Sequence, residues 1–207
     1  MPSPPSIFIP LAETTGLIVP LGRQIVAQAA SALARWHRDR PGLGLSINLS
    51  VAQLKEDDRF IDYVRATLAR EGLAPAAIEF EVTESIFLDP ALPVVDRRLR
   101  ELVAMGIGLA IDDFGTGYSS LGYLRRFPFA AIKIDRSFVR EIGSDNGRAI
   151  VEAIVGLGLN LRKRLVAEGV ETSPQLELVR HLGCHEAQGY LLGRPEPADA
   201  VPALLAA

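Results

Sequence analysis

The chain of 207 residues has the length expected of one folded domain. Hydrophobic residues at 48% and charged residues at 23% exclude a disordered chain, and 22 basic against 25 acidic residues exclude a protein that coats nucleic-acid phosphates. The single cysteine, Cys184, excludes an internal disulfide. Since the sequence shows no span long enough to cross a membrane and no secretory signal, we expect a cytoplasmic protein without membrane contact.

Short β-branched apolar segments alternate with longer segments of helical spacing along the chain. Such alternation predicts parallel strands joined by right-handed helical crossovers. Strands are predicted at Leu45–Leu49, Ala77–Val82, Gly108–Asp112, Ala131–Ile134, Arg164–Ala167 and, more weakly, Cys184–Gln188. Helices are predicted at Leu17–Arg38, Leu54–Leu68, Pro93–Met105, Arg148–Leu161 and Ser173–Leu182.

Two finer features of these helices are predicted from residue type. In the first helix, one stripe of apolar residues is expected to face the core, because its members recur every three or four positions. The stripe consists of Leu21, Ile25, Ala29, Leu33 and Trp36. Three glycines, at positions 72, 106 and 183, are expected to end helices in the left-handed conformation.

The order of elements fits either a doubly wound open sheet or a (β/α)8 barrel of the TIM type. No glycine-rich dinucleotide fingerprint follows the first strand, so the α/β TIM-like barrel is favoured. Because a complete barrel takes about 250 residues, we expect this one to lack about one strand–helix unit. Residues 1–207 are predicted to form one domain, with residues 1–6 as a disordered or foreign leader.

A polar side chain lies within or just past the end of every predicted strand. In a barrel, these positions share the rim on which barrel enzymes build their active sites. One polar residue per strand–helix unit is a pattern that chance does not readily produce. The residues are Asn48, Glu81, Asp112, Lys133, Glu168 and Gln188.

Carboxylates dominate this set, since Glu81, Asp112, Asp113 and Glu168 are acidic and Lys133 offsets only one of them. Carboxylates this close together repel one another unless bound cations offset their charge. Oxygen ligands without histidine suit Mg²⁺ or Mn²⁺. Asp112 and Asp113 are adjacent, and neighbouring side chains on a strand diverge. One of these carboxylates could therefore bridge two metal ions while the other binds only the second ion. Two ions are the usual device for displacement at phosphorus.

Each candidate also has a purely structural interpretation. Asn48 and Ser50 fit turn and N-cap chemistry, and Glu81 fits a solvated strand position. The segment Asp112–Gly115 fits a loop with an Asx turn, and without a glycine-rich loop or a His-Arg-Asp segment it does not indicate a kinase. The following segment, Gly115–Ser120, fits a lid over the site or an ordinary turn in which Ser119 or Ser120 caps the next helix.

Taken together, the motifs resemble those of the EAL domain family of bacterial cyclic di-GMP phosphodiesterases. The resemblance runs from about Ile7 to Pro197. The segments that carry it are Phe8–Glu13, Asn48–Ser50, Glu81–Ser85, Asp112–Ser120, Lys133–Asp135, Ala167–Thr172 and Gln188–Tyr190. The resemblance implies a barrel with one antiparallel strand that opens cyclic di-GMP to linear pGpG, with two Mg²⁺ or Mn²⁺ ions in each site.

The resemblance also implies roles for single residues. Metal ligands are implied at Asn48, Glu81, Asp112 and Asp113. Glu168 is implied as the acid/base or water-orienting carboxylate, with Lys133 as its cationic partner. Gln188 is implied at the substrate or metal rim, and Glu84 and Glu171 as supports of the loop after Asp113.

One departure from the family pattern leaves two functions open. The chain contains no Glu-Ala-Leu tripeptide, so we expect the first strand and one metal-binding glutamate to be missing. The domain is then either an active phosphodiesterase or a catalytically impaired module that binds cyclic di-GMP or a partner protein. A barrel that lacks a strand exposes sheet edges, which predicts a homodimer.

Overall fold

A computed structural model describes residues 5–57, 59–88, 92–117 and 121–205 of the chain. The strands are β1 Leu45–Asn48, β2 Ile78–Thr83, β3 Gly108–Phe114, β4 Ala131–Ile134, β5 Arg164–Ala167 and β6 Glu186–Ala187. The helices are α1 Pro5–Thr14, α2 Ile18–Trp36, α3 Val51–Glu56, α4 Phe60–Glu71, α5 Leu92–Ala104, α6 Leu121–Arg126, α7 Arg136–Glu141, α8 Asp145–Asn160, α9 Ser173–Leu182 and α10 Val201–Leu204. Short 3₁₀ turns occupy Pro75–Ala77, Glu84–Leu88 and Ala198–Ala200.

All six predicted strands are present, whereas the helix predictions need correction. The helix predicted over Leu54–Leu68 is wrong, because the chain there forms α3 and α4 with a break at Asp57. The Asp57 carboxylate accepts a hydrogen bond from the backbone N–H of Arg59 and pairs with Arg23, which stabilises a turn in place of a continuous helix. Four of the described helices, α1, α6, α7 and α10, were not predicted.

The chain divides into two compact units, and the boundary falls inside β3. The first unit comprises Met1–Val82 and Leu88–Leu109, and the second comprises Thr83–Phe87 and Ala110–Ala207. The prediction that residues 1–207 form one domain therefore stays a prediction. Helix α1 begins at Pro5, inside the predicted leader, and residues 1–4 lie outside the described residues.

In the first unit, β1 and β2 pair in parallel and helices pack around them. Its largest fully buried side chains include Leu33, Phe60 and Phe80. The stripe predicted for α2 is confirmed at Leu33 and is otherwise shifted by one position. The residues of α2 that are buried are Ile18, Gly22, Val26, Ala30, Ala32 and Leu33. Gly22 explains the shift, because a Cβ there would lie 1.8 Å from the Gln53 side chain of α3.

In the second unit, β4 pairs in parallel with β3 on one side and with β5 on the other, and β6 pairs with β5. Every residue of β4 is buried, as expected of a strand covered on both faces. Helix α8 packs on β4 and β5, and Phe87, Phe127 and Phe129 form an aromatic cluster. This packing fixes the positions at which β3, β4 and β5 end.

Glycine residues follow three of the helices in the left-handed conformation, as predicted. Gly72 follows α4 and Gly183 follows α9, both in the left-handed conformation with φ of 68° and 100°. Gly106, shortly after α5, has φ of 96°. Among the described helices, none combines the length and the apolar character that a membrane span requires.

Candidate active site

The end of β3 brings the adjacent aspartates Asp112 and Asp113 into one cluster with Glu168. The pairing of β3 with β4 shifts register between Ile111 and Phe114, and Asp113 has the left-handed φ of 52°. Side chains of a regular strand alternate between faces, and this irregularity breaks the alternation. Carboxylate oxygens of Asp112, Asp113 and Glu168 lie within 4.8 Å of one another. The two aspartates therefore converge, and the prediction that they diverge is wrong.

Lys133 is the buried cation of this cluster. Its Nζ lies 2.6 Å from Oε1 of Glu168 and 3.2 Å from Oδ1 of Asp112. Strand β4 places Lys133 between β3 and β5, and Glu168 follows directly after β5, where its backbone N–H donates to the carbonyl of Ile134. The lysine thus links the ends of the two neighbouring strands.

A further carboxylate, Asp135, belongs to the same group and was not among the predicted site residues. Its carboxylate lies close enough to that of Asp113 for each to affect the pKa of the other. Burial raises the pKa of Asp113, and the charges of Asp112 and Asp135 raise it further. Burial also acts to raise the pKa of Asp135, but hydrogen bonds from Ser137 outweigh it and the pKa is lowered. Its place just past the end of β4 is the signal that could have revealed it.

The donor set fits a hard divalent cation. Asp112, Asp113 and Glu168 offer only oxygen ligands, and no thiolate or imidazole belongs to this group among the described residues. Mg²⁺, Mn²⁺ and Ca²⁺ prefer such oxygen ligands. Lys133 balances one of the negative charges, so a bound cation would relieve the repulsion that remains.

Glu84 holds the loop that follows the aspartates. It is buried in the turn after β2, and its Oε2 accepts hydrogen bonds from the backbone N–H of Gly115 at 3.0 Å and of Gly117 at 3.1 Å. Gly115 has φ of 100°, and a Cβ there would lie 2.7 Å from the Phe138 ring. The predicted capping serines, Ser119 and Ser120, lie outside the described residues.

Asn48 and Glu81 stand together in the first unit. The two residues are partners in the parallel register of β1 and β2, so their side chains lie on the same face of the sheet. Glu81 is buried and Asn48 is exposed. The predicted cap at Ser50 is present, because its side chain accepts from the N–H of Ala52 and forms a capping box with Gln53.

Gln188 and Glu171 are both exposed. The backbone of Gln188 bonds to Ala167 and Val170, which places it beside the end of β5. Glu171 donates its backbone N–H to Oε1 of Gln175. Within the described part of the chain, Glu171 makes no hydrogen bond to the loop after Asp113, whereas Glu84 makes two.

The remaining nucleophile of the chain is not activated. Cys184 is a free thiol at the end of α9, and burial raises its pKa to about 11. It is therefore protonated at neutral pH, and the chemistry of the site rests on carboxylates and lysine.

Comparison with known proteins finds one protein family that matches most of the chain. The sequence profile of the family described as EAL domain matches residues 2–195. The bifunctional diguanylate cyclase/cyclic di-GMP phosphodiesterase MucR of Pseudomonas aeruginosa is 45% identical over 210 residues, which cover 98% of this chain and 30% of that protein. The chain spans 24% to 32% of the length of the first curated relatives that it matches.

Two solved structures show the same fold. The structure described as PaMucR phosphodiesterase in complex with c-di-GMP is 45% identical, with a TM-score of 0.89, and the match covers 95% of this chain and 80% of that one. Klebsiella pneumoniae BlrP1, in a manganese/cy-diGMP complex, is 32% identical, with a TM-score of 0.78 and coverage of 86% and 45%. The predicted fold class, an α/β barrel of the TIM type, is confirmed. The described residues supply six of its strands.

Proposed function

This chain belongs to the EAL domain family, and from that membership we propose that it is a metal-dependent phosphodiesterase that opens cyclic di-GMP to linear pGpG. The observation that carries the proposal is the buried Lys133, which pairs with Asp112 and Glu168 in a group whose carboxylates converge. A relative solved with cyclic di-GMP and manganese supports the substrate and the type of ion.

We propose that Asp112, Asp113 and Glu168 hold divalent Mg²⁺ or Mn²⁺, and that two ions bind in each site. When bound, divalent cations supply Lewis acidity toward the phosphodiester and lower the pKa of water, toward about 7 in the best case. Asn48 and Glu81 are proposed as further ligands on the strength of the family resemblance. Since Asp112 also contacts Lys133, its orientation is set before any ion binds.

The chain's own residues divide the remaining work of hydrolysis. Glu168 accepts a proton from the attacking water as the new bond to phosphorus forms. The ammonium group of Lys133, held 2.6 Å from Glu168, stabilises the negative charge that develops on the phosphate oxygens. One phosphorus–oxygen ester bond breaks, and the leaving sugar oxygen takes up a proton, which yields the linear dinucleotide.

The other predicted residues are proposed in supporting positions. Glu84 fixes the loop after Asp113 through its two hydrogen bonds to backbone N–H groups. Gln188 is proposed at the substrate rim beside the end of β5. For Glu171, the proposed role of loop support lacks a structural contact, and its exposed carboxylate leaves it available to a ligand.

The test is to incubate the purified chain with cyclic di-GMP and Mn²⁺ and to separate the products by chromatography. Formation of pGpG that stops when EDTA is added supports the proposal. Cyclic di-GMP binding without any pGpG, measured by calorimetry, would contradict catalysis and identify the chain as a binding module.

We also propose that the domain acts as a cytoplasmic homodimer. Exposed apolar side chains on α1 and in the turn after it, namely Ile7, Leu11 and Leu17, support an interface between copies, and a second messenger as substrate supports the location. Sedimentation velocity tests the assembly, and a strictly monomeric profile at micromolar concentration contradicts it. Cell fractionation tests the location.

A further inference from the structure

A hydroxyl group on α7, that of Ser137, restrains one of the buried carboxylates of the second unit. Asp135 is buried directly after β4 and is the N-cap residue of α7. Its Oδ1 accepts a hydrogen bond from the backbone N–H of Ser137 at 2.9 Å and a second one from the Ser137 hydroxyl group. The first bond is the ordinary cap of a helix. The second bond is additional, and it narrows the orientations that the Asp135 carboxylate can take.

The Asp135 carboxylate needs such a restraint because it lies near another carboxylate. Asp113, a proposed metal ligand, is close enough that the charge of Asp135 contributes to raising its pKa. Two carboxylates this close repel each other, so an unrestrained side chain turns away. Burial acts to raise the pKa of Asp135, but hydrogen bonds from Ser137 outweigh it and stabilise the charged form. Ser137 thereby holds a negative charge beside Asp113.

The first turn of α7 also contacts the two chain segments that carry the acidic residues. A Cβ on Gly169 would collide with Cβ of Arg136, so the residue before Ser137 lies against the segment after β5. A Cβ on Gly115 would lie 2.7 Å from the ring of Phe138, so the residue after Ser137 lies against the loop after β3. Because both approaches are this close, a shift of the first turn of α7 would move both segments.

We propose that Ser137 is a positioning residue of the metal-binding group, an inference that rests on the proposed function. Its hydroxyl group holds the Asp135 carboxylate beside Asp113 and thereby keeps the arrangement of the carboxylates that receive the cation. Residues that orient metal ligands without binding the metal typically change metal affinity or activity about 10- to 100-fold when they are replaced. Because Ser137 acts through Asp135, we expect an effect at the lower end of this range, about tenfold.

The test measures the binding of Mn²⁺ to the full chain by calorimetry, without substrate. Ser137→Ala removes the hydroxyl group and should weaken Mn²⁺ binding about tenfold. Ser137→Thr keeps a hydroxyl donor, so its affinity for Mn²⁺ should lie within about twofold of wild type. Equal affinity of wild type and Ser137→Ala would overturn the proposal. A loss in Ser137→Thr as large as that in Ser137→Ala would overturn it as well.

A second capping serine supplies the matched control. Ser144 precedes α8, accepts a hydrogen bond from the backbone N–H of Gly147 at 3.0 Å and donates to the carbonyl of Glu141 at 2.9 Å. Ser144→Ala should therefore lower Tm about as much as Ser137→Ala, yet bind Mn²⁺ as wild type does. Thermal melting without metal compares the stability of the two variants. Equal weakening of Mn²⁺ binding in both would assign the effect to helix capping and overturn the proposal.

Kinetics with cyclic di-GMP at saturating Mn²⁺ separates positioning from contact with the substrate. Ser137 is exposed and lines a cavity of about 720 Å³ together with Arg136 and Gly169, so a direct substrate contact is the competing explanation. Positioning predicts that Ser137→Ala lowers kcat about tenfold and leaves KM nearly unchanged. A rise in KM at unchanged kcat would indicate a substrate contact and overturn the proposal.

The two measurements distinguish failure of this inference from failure of the proposed function. If wild type forms pGpG while all variants bind Mn²⁺ equally, the positioning role is wrong and the phosphodiesterase activity stands. If wild type forms no pGpG, yet Ser137→Ala weakens Mn²⁺ binding and Ser137→Thr restores it, the proposed function is wrong and the positioning role stands.

Discussion

Two regions of the molecule bury charged side chains, and they do so in different ways. In the first unit, Arg23 donates to both carboxylate oxygens of Asp57, and Arg98 donates to the backbone carbonyls of Leu54 and Asp57. Each charge there meets donors or acceptors that compensate it. The group formed by Arg23, Asp57 and Arg98 therefore stabilises the break between α3 and α4, and it has no surplus charge with which to bind a ligand.

In the second unit, the group around Lys133 is unbalanced. Asp112 and Glu168 pair with its ammonium group, and Asp113 belongs to the same carboxylate cluster. Burial raises the pKa of Asp113, and the charges of Asp112 and Asp135 raise it further. A buried group with surplus charge of one sign is costly to folding unless something else neutralises it. Such surplus is typical of a site that binds cations and acts on a substrate.

The largest effect is expected from Glu168→Gln. Loss of the proton acceptor should lower kcat for cyclic di-GMP about 10²- to 10⁴-fold, while the fold is kept because the change is isosteric. Steady-state kinetics with Mn²⁺ measures the loss. Glu152→Gln is the matched control on the surface of α8, where we expect wild-type kinetics. Activity near wild type in Glu168→Gln would show that this carboxylate is not the base.

Addition of a divalent ion should stabilise the protein against unfolding by binding to the carboxylates around Lys133. At about 100 times its Kd, Mn²⁺ should contribute about 2.7 kcal/mol to the free energy of unfolding, which corresponds to a rise in Tm of roughly 5–10 °C. Asp113→Asn should lose most of this rise, because it removes one carboxylate from the ligand group. Melting curves with and without EDTA measure it. An equal rise in the variant would exclude Asp113 as a ligand.

Removal of one partner of the Arg23–Asp57 ion pair should reduce the free energy of unfolding. Asp57→Ala deletes the acceptor of Arg23 and of the Arg59 N–H, and should cost about 2 kcal/mol of unfolding free energy. Urea denaturation measures the change. Asp62→Ala, which breaks the exposed pair with Arg65, is the control and should cost at most about 0.5 kcal/mol. If the two variants lose the same amount, burial does not distinguish the two ion pairs.

The smallest effect is expected from the cap of α3. Ser50→Ala removes the acceptor of the Ala52 N–H and the donor to Glu13, and should cost about 1 kcal/mol. Ser46→Ala on β1 should cost less, since its hydroxyl makes one long contact of 3.4 Å to Glu79. Denaturation of both variants under the same conditions tests the difference, and a larger loss for Ser46→Ala would contradict it.

The sequence by itself determined the strands, the helix-ending glycines and the candidates at the strand ends, because these follow from local periodicity and residue type. Lys133 was recognisable since a charge inside an apolar buried strand must be paired, and the structure pairs it with Asp112 and Glu168. The family resemblance followed from short motifs that are local in sequence, although the Glu-Ala-Leu tripeptide is not among them.

Only the tertiary structure decided how those residues meet. The buried stripe of α2 is shifted because Gly22 faces Gln53, a residue far along the chain. The irregularity that turns Asp113 toward Asp112 depends on the pairing of β3 with β4, and the link from Asp135 to Asp113 depends on the same packing. Each of these facts is set by contacts between distant segments, which periodicity does not encode.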